Sequence, residues 1–324
     1  MTLNIGIIGT GWFGMMHAAK LAQMEGVKVA AFAATSQEKA NAAAARHEGA
    51  RGYASVVDML DDRKLDAVYI CLPPFAHGDI ELALIERGIP FLVEKPIGIG
   101  METPNAIVEA VKRKGLITSV GYHFRYMQST DRAKALLEER KLGMAIGYWM
   151  GGMPGVSWWR SMEGSGGQFV EQTTHIVDLL RYTAGEVHEV YAAYGDRIMK
   201  EQAEGVTVPD VGTVTLKLAS GAVASINNTC AIPAGDRSGL HLYTDKGVLE
   251  LTGQGLVDIE AGKRTEYGNR MDPYEEENKA FLHAVRTGDA SLIRSTYEDA
   301  WLTHRVTAAA NESARTGLPI SLEG

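Results

Sequence analysis

Apolar positions follow two different rhythms along the chain, and the change from one to the other falls near residue 121. Before it, strand-length apolar runs alternate with stretches that repeat every three to four residues. That alternation predicts a doubly wound parallel sheet wrapped by helices. Asn4 to Ile8, Val27 to Ala33, Ala67 to Leu72, Phe91 to Val93 and Ile117 to Val120 read as its buried strands. Ser55 with Asp58 has the form of a capping box, Thr103-Pro104 places an N-cap ahead of a first-turn proline, and Gly115 ends that helix. After residue 121 a helix from about Thr130 to Lys141 gives way to period-two patterning. Thr213 to Leu218 alternates, turns at Ser220-Gly221 and returns through Val223 to Ile226. Leu240 to Thr244 pairs in the same way with Val248 to Leu251 across Asp245-Lys246-Gly247. Tyr274 to Thr316 is mostly helical, with Gly317 as its stop. The expected division is residues 1–121, an α/β dinucleotide-binding domain, and residues 122–324, an α+β domain for substrate binding and oligomerisation.

The first strand runs directly into Gly9-Thr10-Gly11-Trp12-Phe13-Gly14 and then into a helix through Leu21. Strand, glycine turn and helix in that order suit a dinucleotide pyrophosphate. Gly9 permits the tight turn, Gly11 the close approach of backbone to phosphate, and Gly14 the packing of helix on strand. The oxygens would sit at a helix N-terminus, where free N–H groups and aligned peptide dipoles favour negative charge. Trp12 and Phe13 are expected to wall the cofactor pocket.

Composition narrows the picture. Apolar content of 45%, charged content of 22% and a net charge of −8 describe a soluble globular protein and argue against nucleic acid or an anionic membrane as partner. No apolar segment reaches the length of a membrane span, and the expected location is cytoplasmic. Cys71 and Cys230 read as structural thiols.

Ligands of doubly wound folds bind beyond the carboxyl ends of the strands. Two loops belong there: Leu72-Pro73-Pro74-Phe75-Ala76-His77 and Glu94-Lys95-Pro96. Pro73, His77 and Glu94 are candidate cofactor contacts. Lys95 would carry its ammonium into the cleft, where desolvation suits it to proton transfer; an ordinary surface lysine before a proline turn fits its position equally well. Further on, Gly164-Ser165-Gly166-Gly167 leads into Gln168-Phe169-Val170-Glu171-Gln172-Thr173-Thr174-His175. On a continuous helix Glu171 and His175 would share a face, and His175 has the chemistry of a general base near neutral pH. Asp178 would extend that face. A metal set of Glu171, His175 and Asp178 is conceivable, but a buried ion pair suits Asp178 better, and no metal is expected.

These motifs together resemble the glucose–fructose oxidoreductase and inositol dehydrogenase superfamily (Gfo/Idh/MocA), from the glycine loop to Ala309-Ala310-Asn311-Glu312-Ser313 before Gly317. The resemblance implies a Rossmann domain followed by a domain built on a large, mostly antiparallel open sheet. It also implies hydride transfer between a nicotinamide and a secondary alcohol or ketone of a sugar or cyclitol. Carried over by motif, Lys95 would hold the reacting hydroxyl, His175 would be the acid/base, and Glu171 would orient it or the substrate. The family usually has Asp where this chain has Glu171, so Gln172 is a further candidate for sugar recognition. A cis peptide is common before the proline of this motif, here Lys95-Pro96. Within the family two other readings exist: a glycosidase that keeps NAD bound and oxidises its substrate transiently, and a non-catalytic regulator.

The end of the second strand bears on which nicotinamide is used. Where an acid would bind the ribose of NAD stands Ala34, followed by Thr35 and Ser36, with Lys39 one turn on. Two hydroxyls and a cation suit a 2′-phosphate, so NADP is expected, with NAD possible. Aromatic faces beside guanidinium groups suit a sugar. That makes Tyr122, Arg125, Trp158 and Arg160 candidate substrate contacts, with one of Trp158 and Trp159 reserved for core packing. A sheet face left free in the second domain predicts a homodimer or homotetramer.

Overall fold

The structure, a computed structural model, describes residues 2–235 and 237–322. In chain order the first elements are β1 (Leu3–Ile8), α1 (Trp12–Leu21), β2 (Val27–Ala33), α2 (Gln37–Ala44), β3 (Arg51–Tyr53), α3 (Val56–Asp62), β4 (Ala67–Ile70), α4 (Asp79–Arg87), β5 (Phe91–Val93), α5 (Glu102–Lys114) and β6 (Thr118–Val120). The six strands form one sheet in the order β3-β2-β1-β4-β5-β6, and every pairing is parallel. This is a Rossmann arrangement. Both faces are buried, Ile5, Ile7, Phe32, Tyr69 and Leu92 on one and Ile8, Val68, Ile70, Phe91 and Val93 on the other, which explains the near-continuous apolar runs.

The expected strands are found, trimmed by a residue or two at β4 and β6. The edge strand β3 is too short to show a period. The Ser55 hydroxyl accepts from the Asp58 N–H at 3.2 Å as predicted. α5 begins at Glu102, so Thr103 lies inside the helix instead of capping it. Gly115 closes that helix at φ +60°.

The second part contains α6 (Gln128–Leu137), β7 (Leu142–Met150), α7 (Met162–Ser165), α8 (Gln168–Glu171), α9 (Thr174–Ala184), β8 (Val187–Gly195), α10 (Met199–Gln202), β9 (Val211–Leu218), β10 (Val223–Thr229), β11 (Arg237–Thr244), β12 (Gly247–Thr252), β13 (Gly255–Glu260) and β14 (Lys263–Gly268). α11 (Pro273–Thr287), α12 (Tyr297–Thr316) and β15 (Ile320–Ser321) complete the chain. A nine-stranded sheet runs β14-β13-β12-β11-β7-β10-β9-β8-β15, antiparallel throughout except for the parallel pair β7–β10. One face packs on α6, α9 and α12 through Ala133, Ile176, Leu180, Val214, Leu240, Leu242 and Val306. The other face is open, and the alternation along β9, inward Val214 and Leu216 against outward Thr213 and Thr215, is its signature.

Two compact units emerge. The first comprises residues 1–97, 102–121 and 274–301; the second comprises 98–101, 122–273 and 302–324. α11 and the segment after it therefore belong to the Rossmann unit, where Phe281 packs edge-on against Tyr69 and Tyr297 against Phe91.

Candidate functional site

In the first unit the glycine turn has the form a pyrophosphate needs. Gly9 has φ +93°, and a Cβ there would lie 2.2 Å from the Cys71 carbonyl oxygen. A Cβ on Gly14 would lie 1.9 Å from the Gly9 carbonyl oxygen, so helix and turn touch backbone to backbone. Gly11 differs: it is the N-cap of α1, no side chain caps that helix, and an added Cβ would meet nothing within 4 Å. Open space at an uncapped helix N-terminus fits a phosphate group. Trp12 beside it is 69% exposed, with Phe13 edge-on at 4.8 Å.

At the end of β2, Ser36 caps α2 by accepting from the Lys39 N–H at 3.3 Å, and the Lys39 Nζ lies 3.5 Å from the Thr35 hydroxyl. The three expected phosphate contacts thus form one small cluster.

The loops after β4 and β5 depart in part from expectation. Pro73 stays partly exposed at the start of a 3₁₀ turn over Pro74–Ala76. The His77 and Glu94 side chains, expected to touch the cofactor, are turned into the protein. His77 Nδ1 meets Glu81 Oε1 at 2.5 Å, while Glu81 Oε2 accepts from the Gly78 N–H at 2.7 Å. Glu94 Oε1 meets His17 Nε2 at 2.9 Å, and His17 Nδ1 lies 3.1 Å from Asn278 Oδ1. Glu94 Oε1 and His77 Nδ1 are engaged by these partners, which hold the two loops, while His77 Nε2 is buried without a hydrogen-bond partner. Lys95 follows directly, 8% exposed, and its bond to Pro96 is cis, as expected.

His17 was missed in sequence. Its signal was available: it lies three residues beyond Gly14, on the face of α1 that also buries Ala18 and Leu21.

In the second unit the helix expected through Glu171 and His175 is broken. α8 ends at Glu171, and α9 begins at Thr174; Thr173 N–H bonds back to Gln168 O and His175 N–H to Gln172 O. The shared-face argument therefore fails for Glu171 and His175. Glu171 Oε2 accepts from the Trp159 indole at 2.7 Å. Gln172 Oε1 accepts from Gln168 Nε2 at 3.1 Å, and Gln168 Oε1 from Asn228 Nδ2 at 2.8 Å.

His175 is 5% exposed within four aromatic rings. Trp149 is stacked at 5.9 Å, Phe124 lies at 5.0 Å, His123 edge-on at 4.9 Å and Tyr122 edge-on at 5.9 Å.

Two expected substrate contacts are committed elsewhere in this unit. Tyr122 is fully buried, and its hydroxyl pairs with that of Thr174 at 2.8 Å. Burial, with Asp178's charge nearby, pushes its phenol up. Arg125 grips Asp178 with two bonds of 2.8 and 2.6 Å, and Asp178 also accepts from Thr303. Asp178 is thus the buried ion-pair partner expected of it. Among the described residues no group of three His, Cys, Asp or Glu side chains is placed to hold a metal ion. Trp159 is the packed member of its pair, 1% exposed, while Trp158 and Arg160 remain partly exposed.

A parallel six-stranded sheet with a pyrophosphate-type turn, in a chain with a second domain on a large open sheet, defines a two-domain nicotinamide-dependent oxidoreductase. The Gfo/Idh/MocA family, described as "Oxidoreductase family, NAD-binding Rossmann fold", matches residues 3–122, and its C-terminal domain matches residues 130–250; the chain belongs to this family. It is similar to scyllo-inositol 2-dehydrogenase (NAD(+)) of Bacillus subtilis, 25% identical over 98% of this chain and 95% of that protein. It is also similar to D-xylose 1-dehydrogenase (NADP(+)) 2 of Haloferax volcanii, 26% identical over 99% of this chain and all of that protein. The solved myo-inositol dehydrogenase of Corynebacterium glutamicum superposes with a TM-score of 0.82 at 25% identity, each chain being covered in full.

Proposed function

We propose that this chain is an NAD(P)-dependent dehydrogenase acting on a secondary alcohol, or the corresponding ketone, of a sugar, sugar derivative or cyclitol, with a preference for NADP. The observation that carries the reading is Lys95, two residues beyond β5 at the carboxyl edge of a sheet whose β1–α1 turn is built for a pyrophosphate.

The nicotinamide, when bound, supplies the acceptor or donor of the hydride. Residues Gly9 to Gly14 would hold its pyrophosphate. The ammonium of Lys95 binds the reacting hydroxyl and favours its ionisation. His175 takes the hydroxyl proton in oxidation and returns it in reduction. Glu171, steadied by the Trp159 indole, accepts from a neighbouring hydroxyl. Gln172, fixed through Gln168 and Asn228, offers its amide to another. Trp158 and Arg160 contribute an apolar face and a donor fork to the sugar ring.

The preference for NADP rests on Thr35, Ser36 and Lys39 at the end of β2, where Ala34 stands in place of an acid that would bind the ribose of NAD. Self-association, as a dimer or tetramer, rests on the open sheet face. There Met144, Tyr191 and Val223 are 39, 44 and 45% exposed, and Val223 stands opposite Met144 in register.

A panel of sugars and cyclitols, followed by nicotinamide absorbance with each cofactor in parallel, tests the reading. At least one polyol should turn over, with a higher kcat/KM for NADP. Tight cofactor binding without turnover on any polyol would overturn the dehydrogenase assignment.

A further inference from the structure

The acid/base histidine faces a problem of access. A proton taken from a substrate hydroxyl must reach water, and His175 is 5% exposed and enclosed by rings. Trp149 and Phe124 have no group that titrates. The Tyr122 hydroxyl is tied to Thr174, and burial holds its phenol neutral. The fourth ring is His123, on the 3₁₀ turn His123–Tyr126, partly exposed and edge-on to His175 with ring centroids 4.9 Å apart. At that separation one water can bridge two imidazoles and carry a proton between them.

We propose that His123 is the proton relay of His175, passing the proton between that buried imidazole and solvent. This rests on the dehydrogenase reading above, in which His175 is the acid/base. The sequence of events conserves charge and protons. The hydroxyl proton moves to His175, an equivalent proton moves from His175 to His123, and His123 releases it to water; reduction runs the same path backwards. His123 acts through His175 and is a positioning and relay residue.

Two imidazoles so close titrate as a pair, because protonating one disfavours protonating the other. Other ionisable groups lie on the elements packed around α9. Arg125, on the same turn as His123, is neutralised by Asp178 of α9 at 2.6 Å. Glu171 of α8 is bound to Trp159. Lys134 of α6 sits over the Tyr182 ring of α9 at 3.7 Å, with Asp131 and Arg132 on the same helix. On β7, Tyr148 alternates with Trp149 and so lies on the opposite face of the strand, where it contacts His241 of β11 at 3.4 Å; Arg237 and Tyr243 complete the ionisable groups of β11. Of the four rings against His175, His123 is the second imidazole.

The test is a side-chain NMR titration of the full chain with ¹⁵N-labelled histidine, in wild type, His123→Phe and His123→Gln. Wild type should show His123 and His175 titrating in two separated steps. In either variant His175 should titrate in one step, displaced upward from its wild-type position. An unchanged His175 titration in a folded variant would overturn the relay. His123→Gln serves if the phenylalanine does not fit. On a polyol found by the panel, kcat of His123→Phe should fall about tenfold with KM unchanged, and added imidazole buffer should restore it. A panel without any substrate would sink the dehydrogenase reading, while the titration still decides whether the two imidazoles are coupled.

Discussion

Glu94 and His17 meet at 2.9 Å in the interior of the Rossmann unit, the carboxylate 4% and the imidazole 0% exposed. The contact ties the residue before Lys95 to the middle of α1, and Asn278 of α11 closes the set from the other ring nitrogen. A Cβ on Gly121 would come within 2.6 Å of Glu94 Oε2, so the carboxylate also fills the space above the end of β6. Removing one member of a buried pair leaves the other charge or dipole unmatched, which costs about 3 to 5 kcal/mol. His17→Leu should therefore lower unfolding stability by about 3 kcal/mol in urea titration, and His17→Gln, which can still donate to Glu94, by less. Equal losses for the two would show that the hydrogen bond is immaterial.

The glycine turn separates steric need from ligand need. Gly14→Ala forces a Cβ to 1.9 Å from a backbone oxygen and should destabilise the fold by about 3 kcal/mol or more. Gly11→Ala points into open space, so stability should change by under about 1 kcal/mol while cofactor affinity falls about tenfold or more. Calorimetric melting and cofactor titration on both variants check the contrast.

Lys95→Ala should reduce kcat by about a hundredfold to ten-thousandfold and leave the cofactor Kd within about twofold. Parallel losses of turnover and cofactor affinity would move Lys95 from proton handling to cofactor binding.

Lys39→Ala should raise the KM for NADP about tenfold, the worth of one charge-assisted hydrogen bond, with that for NAD almost unmoved. Equal effects on the two cofactors would remove Lys39 from the 2′-phosphate.

Asp210 supplies a pH test. Burial opposes its ionisation, but backbone N–H groups of Met199, Ile198 and Arg197, at 2.7, 2.6 and 2.9 Å, outweigh it and hold the carboxyl below its usual range. A depressed folded-state pKa stabilises the fold above the unfolded value of about 4 and is lost as pH falls through the folded value. Asp210→Asn should cost about 1 to 3 kcal/mol at pH 7, and the cost should shrink as the pH of the urea titration is lowered below about 4. A cost independent of pH would show that the charge is irrelevant.

Where burial is two-sided or strictly alternating, the fold was readable. β2 and β5 match their expected bounds, and β9 with β10 turn at Ser220-Gly221 as expected. β3 was not readable because three residues cannot establish a period. The break between α8 and α9 was hidden as well: nothing in Glu171-Gln172-Thr173-Thr174 is a strong breaker, and the backbone turns there because Thr173 bonds back to Gln168. Periodicity names a helix without giving its destination, which is why α11 gave no sign of packing with the first unit. The motifs singled out Lys95, His175 and the glycine turn. They could not foresee that Arg125 is spent on Asp178, since a hydrogen bond across the fold leaves no local trace.

The nucleotide-binding unit closes late. Val120 N–H bonds to Ser295 O, Tyr297 N–H to the Thr118 hydroxyl, and Phe281 fills the floor beneath Tyr69. A ribosome that has delivered the first 121 residues has delivered six strands without the pieces that finish their core. That core can close only once residues 281–297 have been made.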